Sequence, residues 1–538
     1  MRVALDSEME KMTVISKQGI ARASVILIFA TLLSRLFGFL REVVIADKFG
    51  ASATTDAFFV ALTIPVLFSD FIKYSVKNSF VPVFSRYRLK RGDSAAWGFA
   101  WRFTKILAIG FIFMSLGLFL GSPYVVGLIA PGLSGSAHAL AVHLMKFLSF
   151  LVILLGVASV LESIYNGFEH FITPAFAPLA LNISVILAVI VCAKHFGALG
   201  IVLGILIGGV LQVLILARIF RIGRFSLQDK LQLTEPEIKR VFHLGILIAL
   251  VQGIWGFYYV LDRILASSLQ KGSISALAFA DRLIQLPVGV FVLAISIAAL
   301  PGMSISAAQR DYKRIERICS NGLRLLLFVI VPVTVLFCLM RFPLIRVLYQ
   351  RGSFDANATN LTTGPLFAYA LGLSAFAAQI FILRVYFALQ DMVTPIFTSI
   401  ISLGIKIILS LIFLRVLSTT GIALATSIAA FFNTTLLAVL LVRKGRLGTV
   451  FGPWRGFEKL LLGWLLLGIS STFAFRSFGQ VSLTSQFLTD VIQLLGTALL
   501  GGLVYLGTLL VLGAEELEKV KGVLLRGRVF QVSSRSEL

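Results

Sequence analysis

The sequence predicts an all-α polytopic membrane protein. It would have about fourteen transmembrane helices, arranged as two six-helix lobes related by a parallel pseudo-two-fold repeat, with a C-terminal helix pair added. Three observations carry that prediction. The 538 residues are 58% hydrophobic and only 14% charged, with a mean hydropathy of +0.96. Apolar runs long enough to cross a bilayer recur along the whole chain. And short patterns in the first half return in the second at a nearly constant spacing.

The elements follow in chain order. Residues 1–19 are polar and mixed in charge, with no small-residue cleavage site after a short apolar core, so they read as a cytoplasmic tail and not as a removable signal peptide. Helical cores are expected at 22–46, 56–82, 103–122, 141–165, 174–193 and 198–217, making an N-lobe of 20–218. A basic cytoplasmic linker, 219–242, precedes cores at 243–267, 274–302, 321–340, 364–388, 395–415 and 420–442, which make a C-lobe of 243–443. Cores at 457–475 and 489–513 form the pair within 444–513, and 514–538 is a second cytoplasmic tail. Cys192, Cys319 and Cys338 stand apart without metal-ligand spacing and read as small packed side chains.

Orientation follows from the basic residues. Connections around Arg86–Arg91, Arg218–Arg240, Arg310–Arg317 and Arg443–Arg455 are cationic, whereas none occurs between Gly121 and His138; the positive-inside rule therefore puts both termini in the cytoplasm. This distribution accounts for most of the +23 net charge without nucleic acid as a partner. The stretch from Lys519 to Arg535 is basic enough to touch anionic lipid, or is a solvated tail. Between Arg341 and Phe354 the segment RFPLIRVLYQRGSF suggests a short interfacial helix whose arginines snorkel toward water.

The repeat is read from ordered pairs. Arg41, Gly50 and Pro65 return as Arg263, Gly272 and Pro287, each 222 residues on; Tyr165, Thr173 and Pro174 return as Tyr386, Thr394 and Pro395, each 221 on. Such a spacing, covering six helices, gives halves of the same topology. A cleft between the two lobes is then the natural site for alternating access.

Charges inside the apolar segments mark the candidate site. Arg35, Arg41, Glu42, Asp56, Asp70, Lys73, Lys77, Asp262, Arg263, Asp281 and Arg282 lie in or at the ends of the first two helices of each half. A charge facing lipid at mid-membrane costs roughly 2.5 to 3.5 kcal/mol, so these residues are expected to line a polar cavity. Asp70, Lys73 and Lys77 share one helical stripe, Arg35 and Glu42 another, and Asp281 and Gln285 stand one turn apart. Pro65 and Pro287 would loosen their helices. The competing reading is that the charges pair with one another to hold helices together, with Asp262 and Arg263 as one such pair and Asp70 as partner to Lys73 and Lys77.

Six segments, SRLFGFLRE (Ser34–Glu42), FGASATTDAFFVA (Phe49–Ala61), SFVPVF (Ser79–Phe84), ADRLIQLP (Ala280–Pro287), LYQRGSFD (Leu348–Asp355) and LQDMVTP (Leu389–Pro395), resemble the MviN/MurJ family. These are lipid II flippases of the multidrug/oligosaccharidyl-lipid/polysaccharide exporter superfamily. The resemblance runs from about Ala21 to Arg443 and implies fourteen helices, two lobes, and a final helix pair forming an apolar groove for a lipid tail. It implies a bacterial inner-membrane protein that moves a polyprenyl-pyrophosphate-linked sugar precursor from the inner to the outer leaflet for cell-wall synthesis. Arg35, Arg41, Asp56, Asp281 and Arg282 match family positions implicated in transport. Where the family commonly carries paired arginines after the second-helix proline, this chain has Ser69 and Asp70, so that Lys73 and Lys77 are the substitute cations; the usual glutamate of the ADRL motif is Gln285.

On this reading the substrate-binding set is Arg35, Arg41, Asp56, Lys73, Lys77, Asp281, Arg282 and Gln285, with Glu42, Pro65, Asp70, Asp262, Arg263 and Pro287 structural or gating. Arginine and lysine suit a pyrophosphate in a low-dielectric site. No cofactor is implied, and with no GxxxxGK[ST] loop, HExxH or DxD pattern the chain reads as a transporter and not an enzyme. Its energy would come from a coupling ion, the membrane potential or the cargo gradient. Carriers of another polyprenyl-linked oligosaccharide, drug or cation antiporters of the superfamily, and a non-transporting scaffold remain alternatives.

Overall fold

A computed structural model of the chain describes residues 26–27, 29–221, 236–444, 448, 457–480 and 485–517. The tail 1–19, most of the linker and the basic stretch from Lys519 lie outside the described residues, although 236–242 are already helix.

Every regular element among the described residues is helical. α1 covers 29–49, and α2, Ala53–Ile129, is a 77-residue helix broken at Gly92, whose φ of 79° only glycine adopts without strain. The basic stretch expected as a loop, Arg86–Arg91, is therefore helix up to that break. Arg88 pairs there with Asp93 at 2.6 Å and lies over the Phe168 ring, so charge and stacking fix the corner.

Four helices follow: α3 (Gly135–Leu148), α4 (Phe150–Gly167), α5 (Ile172–Phe196) and α6 (Ala198–Ala217). α7 is Pro236–Ala266, and α8 (Ser273–Pro287) passes through a π-helical turn, Val288–Val292, into α9 (Leu293–Ala308). α10 (Tyr312–Leu339), α11 (Arg341–Tyr349) and α12 (Ala356–Ala388) lead to α13 (Val393–Arg443), which breaks at Ser418 with φ 53°. α14 (Phe457–Gly479) and α15 (Gln486–Val511) complete the chain. Among the described residues ten helical stretches, with α3 and α4 counted as one and α8 and α9 as another, are long and apolar enough to cross a membrane, and side chains such as Leu120, Leu503 and Phe473 project from them uncovered.

The chain divides into two units, 29–49 with 53–260, and 50–52 with 261–517. The first is built on an aromatic stack in which Phe80 lies 5.7 Å from Phe99 and 4.8 Å from Phe103, closed by Ile238 and Val241 of α7. In the second, the final helix pair docks on α10: Phe328, Leu460, Leu467, Tyr505 and Leu509 form one core, and the Tyr505 hydroxyl donates to the Phe328 carbonyl at 2.9 Å.

The left-handed residues fall in register. Gly50, Gly92, Gly135, Glu169 and Gly197 in the first half are followed by Gly272, Arg310, Gly352, Gln390 and Ser418 in the second, 217 to 222 residues on. The hydrogen bonds that close the helix ends agree, with His170 N–H donating to Tyr165 O at 2.9 Å and Asp391 N–H to Tyr386 O at 3.0 Å.

Two expectations about helix interiors change. Pro65 sits inside α2 without any non-helical residue near it, whereas Pro287 stands where α-helix gives way to the π turn. The segment expected to snorkel is helix α11, but Arg346 turns inward to Asp490 of α15 at 2.7 Å, and Arg341 caps the Cys338 carbonyl and lies over the Phe367 ring. An acidic partner on a neighbouring helix wins over water.

Candidate functional site

In the first unit the charges gather on α1, α2 and α4. Arg41 donates from one guanidinium nitrogen to Glu42 at 2.6 Å and from the other to the Asn182 side-chain oxygen on α5 at 3.1 Å; the Asn182 amide in turn donates to the Ser34 carbonyl at 3.2 Å. Gly38, one turn from both Ser34 and Arg41, lets the amide approach, its missing side chain leaving Asn182 within 3.7 Å of where a Cβ would stand. Glu42 is buried, Arg35 and Arg41 half-buried, and Asp56 buried near the start of α2.

On α2 the Lys73 ammonium pairs with Glu162 of α4 at 3.3 Å, and the charge of Asp70, its expected partner, acts on it as well. The other Glu162 oxygen accepts from Gln212 of α6 at 3.3 Å, so that one carboxylate gathers three helices. Asp70 lies one turn before Lys73 on the same helix and is exposed. Lys73 is half-exposed and Lys77 exposed, so both can meet a ligand.

In the second unit the sequence reading brings together Asp281 and Gln285, whose amide donates to the carboxylate at 3.2 Å, with Arg282 exposed beside them. Arg263 donates to the Ile274 carbonyl at 2.9 Å, and Asp262, on which the Arg263 charge also acts, takes Lys406 of α13 at 2.8 Å. Lys406 is fully buried. An ammonium cut off from water is tenable only with such a partner.

Glu162, Lys406 and Asp490 were not singled out from sequence. Each is a solitary ionisable residue inside an apolar span, and that solitude is the signal that finds them. The LQDMVTP motif has a local role. Partial burial pushes the Asp391 carboxyl up, but hydrogen bonds from the Thr394 N–H and hydroxyl at 3.1 and 2.8 Å and from Lys444 at 3.1 Å outweigh it and hold it at about 2.

Comparison with known proteins places this arrangement. The family model described as "Lipid II flippase MurJ" matches residues 45–497. The chain belongs to the MurJ family. A probable lipid II flippase MurJ of Rhizobium tropici is 30% identical over 82% of this chain and 84% of its own length; a lipid II flippase MurJ of Burkholderia cenocepacia is 26% identical over 90% and 95%. Among solved structures, a lipid II flippase MurJ in an inward closed conformation superposes with a TM-score of 0.75 at 25% identity, covering 90% of this chain and all of that one. An inward-facing multidrug resistance MATE family transporter of the MOP superfamily shares the fold, with a TM-score of 0.67 at 13% identity over 78% of this chain and 98% of that one.

Proposed function

We propose that this MurJ-family chain is a flippase that carries lipid II, a polyprenyl-pyrophosphate-linked peptidoglycan precursor, from the inner to the outer leaflet of the bacterial cytoplasmic membrane by alternating access. The observation that carries the reading is the family match over residues 45–497, which begins just after Arg41 and covers Asp56, Lys73, Asp281 and Arg282. Fourteen crossings, duplicated lobes and cytoplasmic termini belong to the same proposal. It is supported by the breaks at Gly92 and Ser418, which divide the two longest helices, and by the register of left-handed residues.

The chemistry suits the cargo. Arg35, Arg41, Lys73, Lys77 and Arg282 supply cations for a pyrophosphate, and Asp56, Asp281 and Gln285 can serve sugar and peptide groups. The chain performs no covalent chemistry in this scheme. The test is complementation of a strain depleted of its lipid II flippase. Wild type should restore growth, while alanine at Arg41, Arg35 or Arg282 should fail at near-normal membrane levels of protein; failure of wild type would refute the reading.

A second reading has one observation in its favour. Ser69 and Asp70 stand where the resemblance calls for arginines, and Lys73 is engaged by Glu162, so the cation balance differs from that expected for the family's cargo. Another polyprenyl-linked oligosaccharide is then the cargo. Reconstituted protein offered both lipids separates the two.

A further inference from the structure

Winding along α13 is a buried polar stripe: Thr394, Thr398, Ser402, Lys406 and Ser410, spaced every four residues and each no more than 5% exposed, with Ser399 buried beside it. An amphipathic surface helix does not look like this, because the polar residues between Val393 and Phe413 are all turned inward and the rest of that stretch is apolar. The stripe begins at Asp391, whose carboxylate accepts the Thr394 hydroxyl and the Lys444 ammonium. It reaches the middle of the helix at Lys406, 2.8 Å from Asp262. Thr398 donates to the Pro395 carbonyl and Ser402 to the Ala429 carbonyl, while the buried Ser410 hydroxyl has no hydrogen-bond partner. At 1.5 Å rise per residue, successive members stand about 6 Å apart, a gap that one bridging water spans.

We propose that this stripe conducts protons between the Asp391 carboxylate, just before the start of α13, and the Lys406–Asp262 pair, and that the pair is the site where transport is coupled to a proton gradient. This rests on the flippase reading given above. In one state the pair is an ammonium beside a carboxylate. Uptake of one proton converts the Asp262 carboxylate to a carboxylic acid, the net charge of the cluster rises by one, and the ion pair joining α7 to α13 is lost; release of that proton restores it. Hydroxyls pass the proton because each both donates and accepts. The charged groups set against the pair are Arg263 on α7 and Asp281 on α8, and Arg282 of α8 stands against Asp281. One cation and one carboxylate acting directly on the pair give it a near-balanced field, in which a single added proton changes which contacts hold. The bland reading of the stripe, small residues easing helix packing, accounts for the serines and threonines but not for a lysine at their centre.

The experiment uses full-length protein in sodium-free proteoliposomes with fluorescent lipid II, with and without an imposed pH gradient. If one proton moves per cargo, one pH unit is worth up to about tenfold in the driving ratio. Wild type should flip lipid II without a gradient and accelerate with it. Thr398→Val combined with Ser402→Ala should keep the basal rate and lose the acceleration; Asp262→Asn and Lys406→Gln should lose it whatever their basal rate. Infrared difference spectra of the purified protein between acid and neutral buffer provide a reading independent of cargo: a carboxylic acid C=O band that vanishes in Asp262→Asn. Wild type that flips but ignores the gradient, a Thr398→Val, Ser402→Ala variant that still responds, or an unchanged infrared band in Asp262→Asn would each overturn the proposal. Wild type that fails to flip lipid II at all counts instead against the flippase reading, and the infrared band then decides the proton site alone.

Discussion

Glu162 shows how a single side chain can organise a site that its neighbours only suggest. With Lys73 on one oxygen and Gln212 on the other, it orients the lysine that the sequence offers as a substitute cation. Glu162→Gln should therefore reduce flipping sharply while leaving the protein in the membrane, and Lys73→Arg should be tolerated because charge, not shape, is what Glu162 holds; a membrane blot beside a flipping assay decides. Asp391 makes a different prediction. Its carboxyl is held at about 2 against an ordinary value of 3.8, so its stabilising contribution is complete above pH 3.8 and is lost as pH falls toward 2. Asp391→Asn should lower the melting temperature of detergent-solubilised protein at neutral pH, and the gap to wild type should close near pH 2. Charges in apolar runs such as Arg41, Lys73 and Asp262 stand out in the sequence, although Glu162, Lys406 and Asp490, which bind them or their neighbours, are not among those it picks out. Partners were not legible there: Lys73 finds Glu162 and Asp262 finds Lys406 across gaps of 89 and 144 positions that helix periodicity cannot bridge.

At the scale of elements, the sequence reading placed most helices within a few residues, and α6 at the residues observed, because an apolar run bounded by glycine or charge defines a span with little ambiguity. It missed what is continuous. Arg86–Arg91 is helix because nothing in that stretch breaks one before Gly92, and polarity alone was mistaken for a loop. Glycine has unequal duties at these corners. Gly92 at φ 79° and ψ 172° has open space around it, so Gly92→Ala should cost only the backbone strain of that glycine-only region, about 1 to 3 kcal/mol. Gly50 and Gly272 combine positive φ with backbone contact: an added Cβ at Gly50 would strike the Ser353 carbonyl, and one at Gly272 the Ala51 carbonyl. Alanine at either should lower the melting temperature far more than at Gly92, and equal effects at all three would show that contact is unimportant there. The Arg346–Asp490 pair fixes α11 to α15 in the same sense. Arg346→Met should destabilise by stranding a buried carboxylate, and the double change with Asp490→Leu should recover most of the loss.

Taken whole, the molecule has backbone corners that match where side chains do not. Glu169 and Gln390, and Gly197 and Ser418, share positive φ at a spacing of 221, and Tyr165 and Tyr386 accept equivalent closing bonds, while the charged pairs differ: Arg41 with Glu42 in the first unit, Asp262 with Lys406 in the second. Long apolar runs explain why the helical membrane fold class could be read from the chain, and partners far apart in sequence why coupling could not. Topology has its own check. After replacing the three cysteines, Ser134→Cys should react with an impermeant thiol reagent in intact spheroplasts and Lys313→Cys only after lysis; the reverse pattern would invert the proposed orientation.

The clasp around residues 50–52 also bears on how the protein is made. That turn leaves the ribosome early, yet the carbonyl it packs against belongs to Ser353, 303 positions later. At translation rates of 5 to 20 residues per second the turn waits roughly 15 to 60 s for its partner. During that interval α1 and α2 sit in the bilayer with an unfinished hairpin, a natural client for insertion chaperones. A slow-codon stretch before residue 353 should lengthen that exposure and raise proteolysis at the α1–α2 turn.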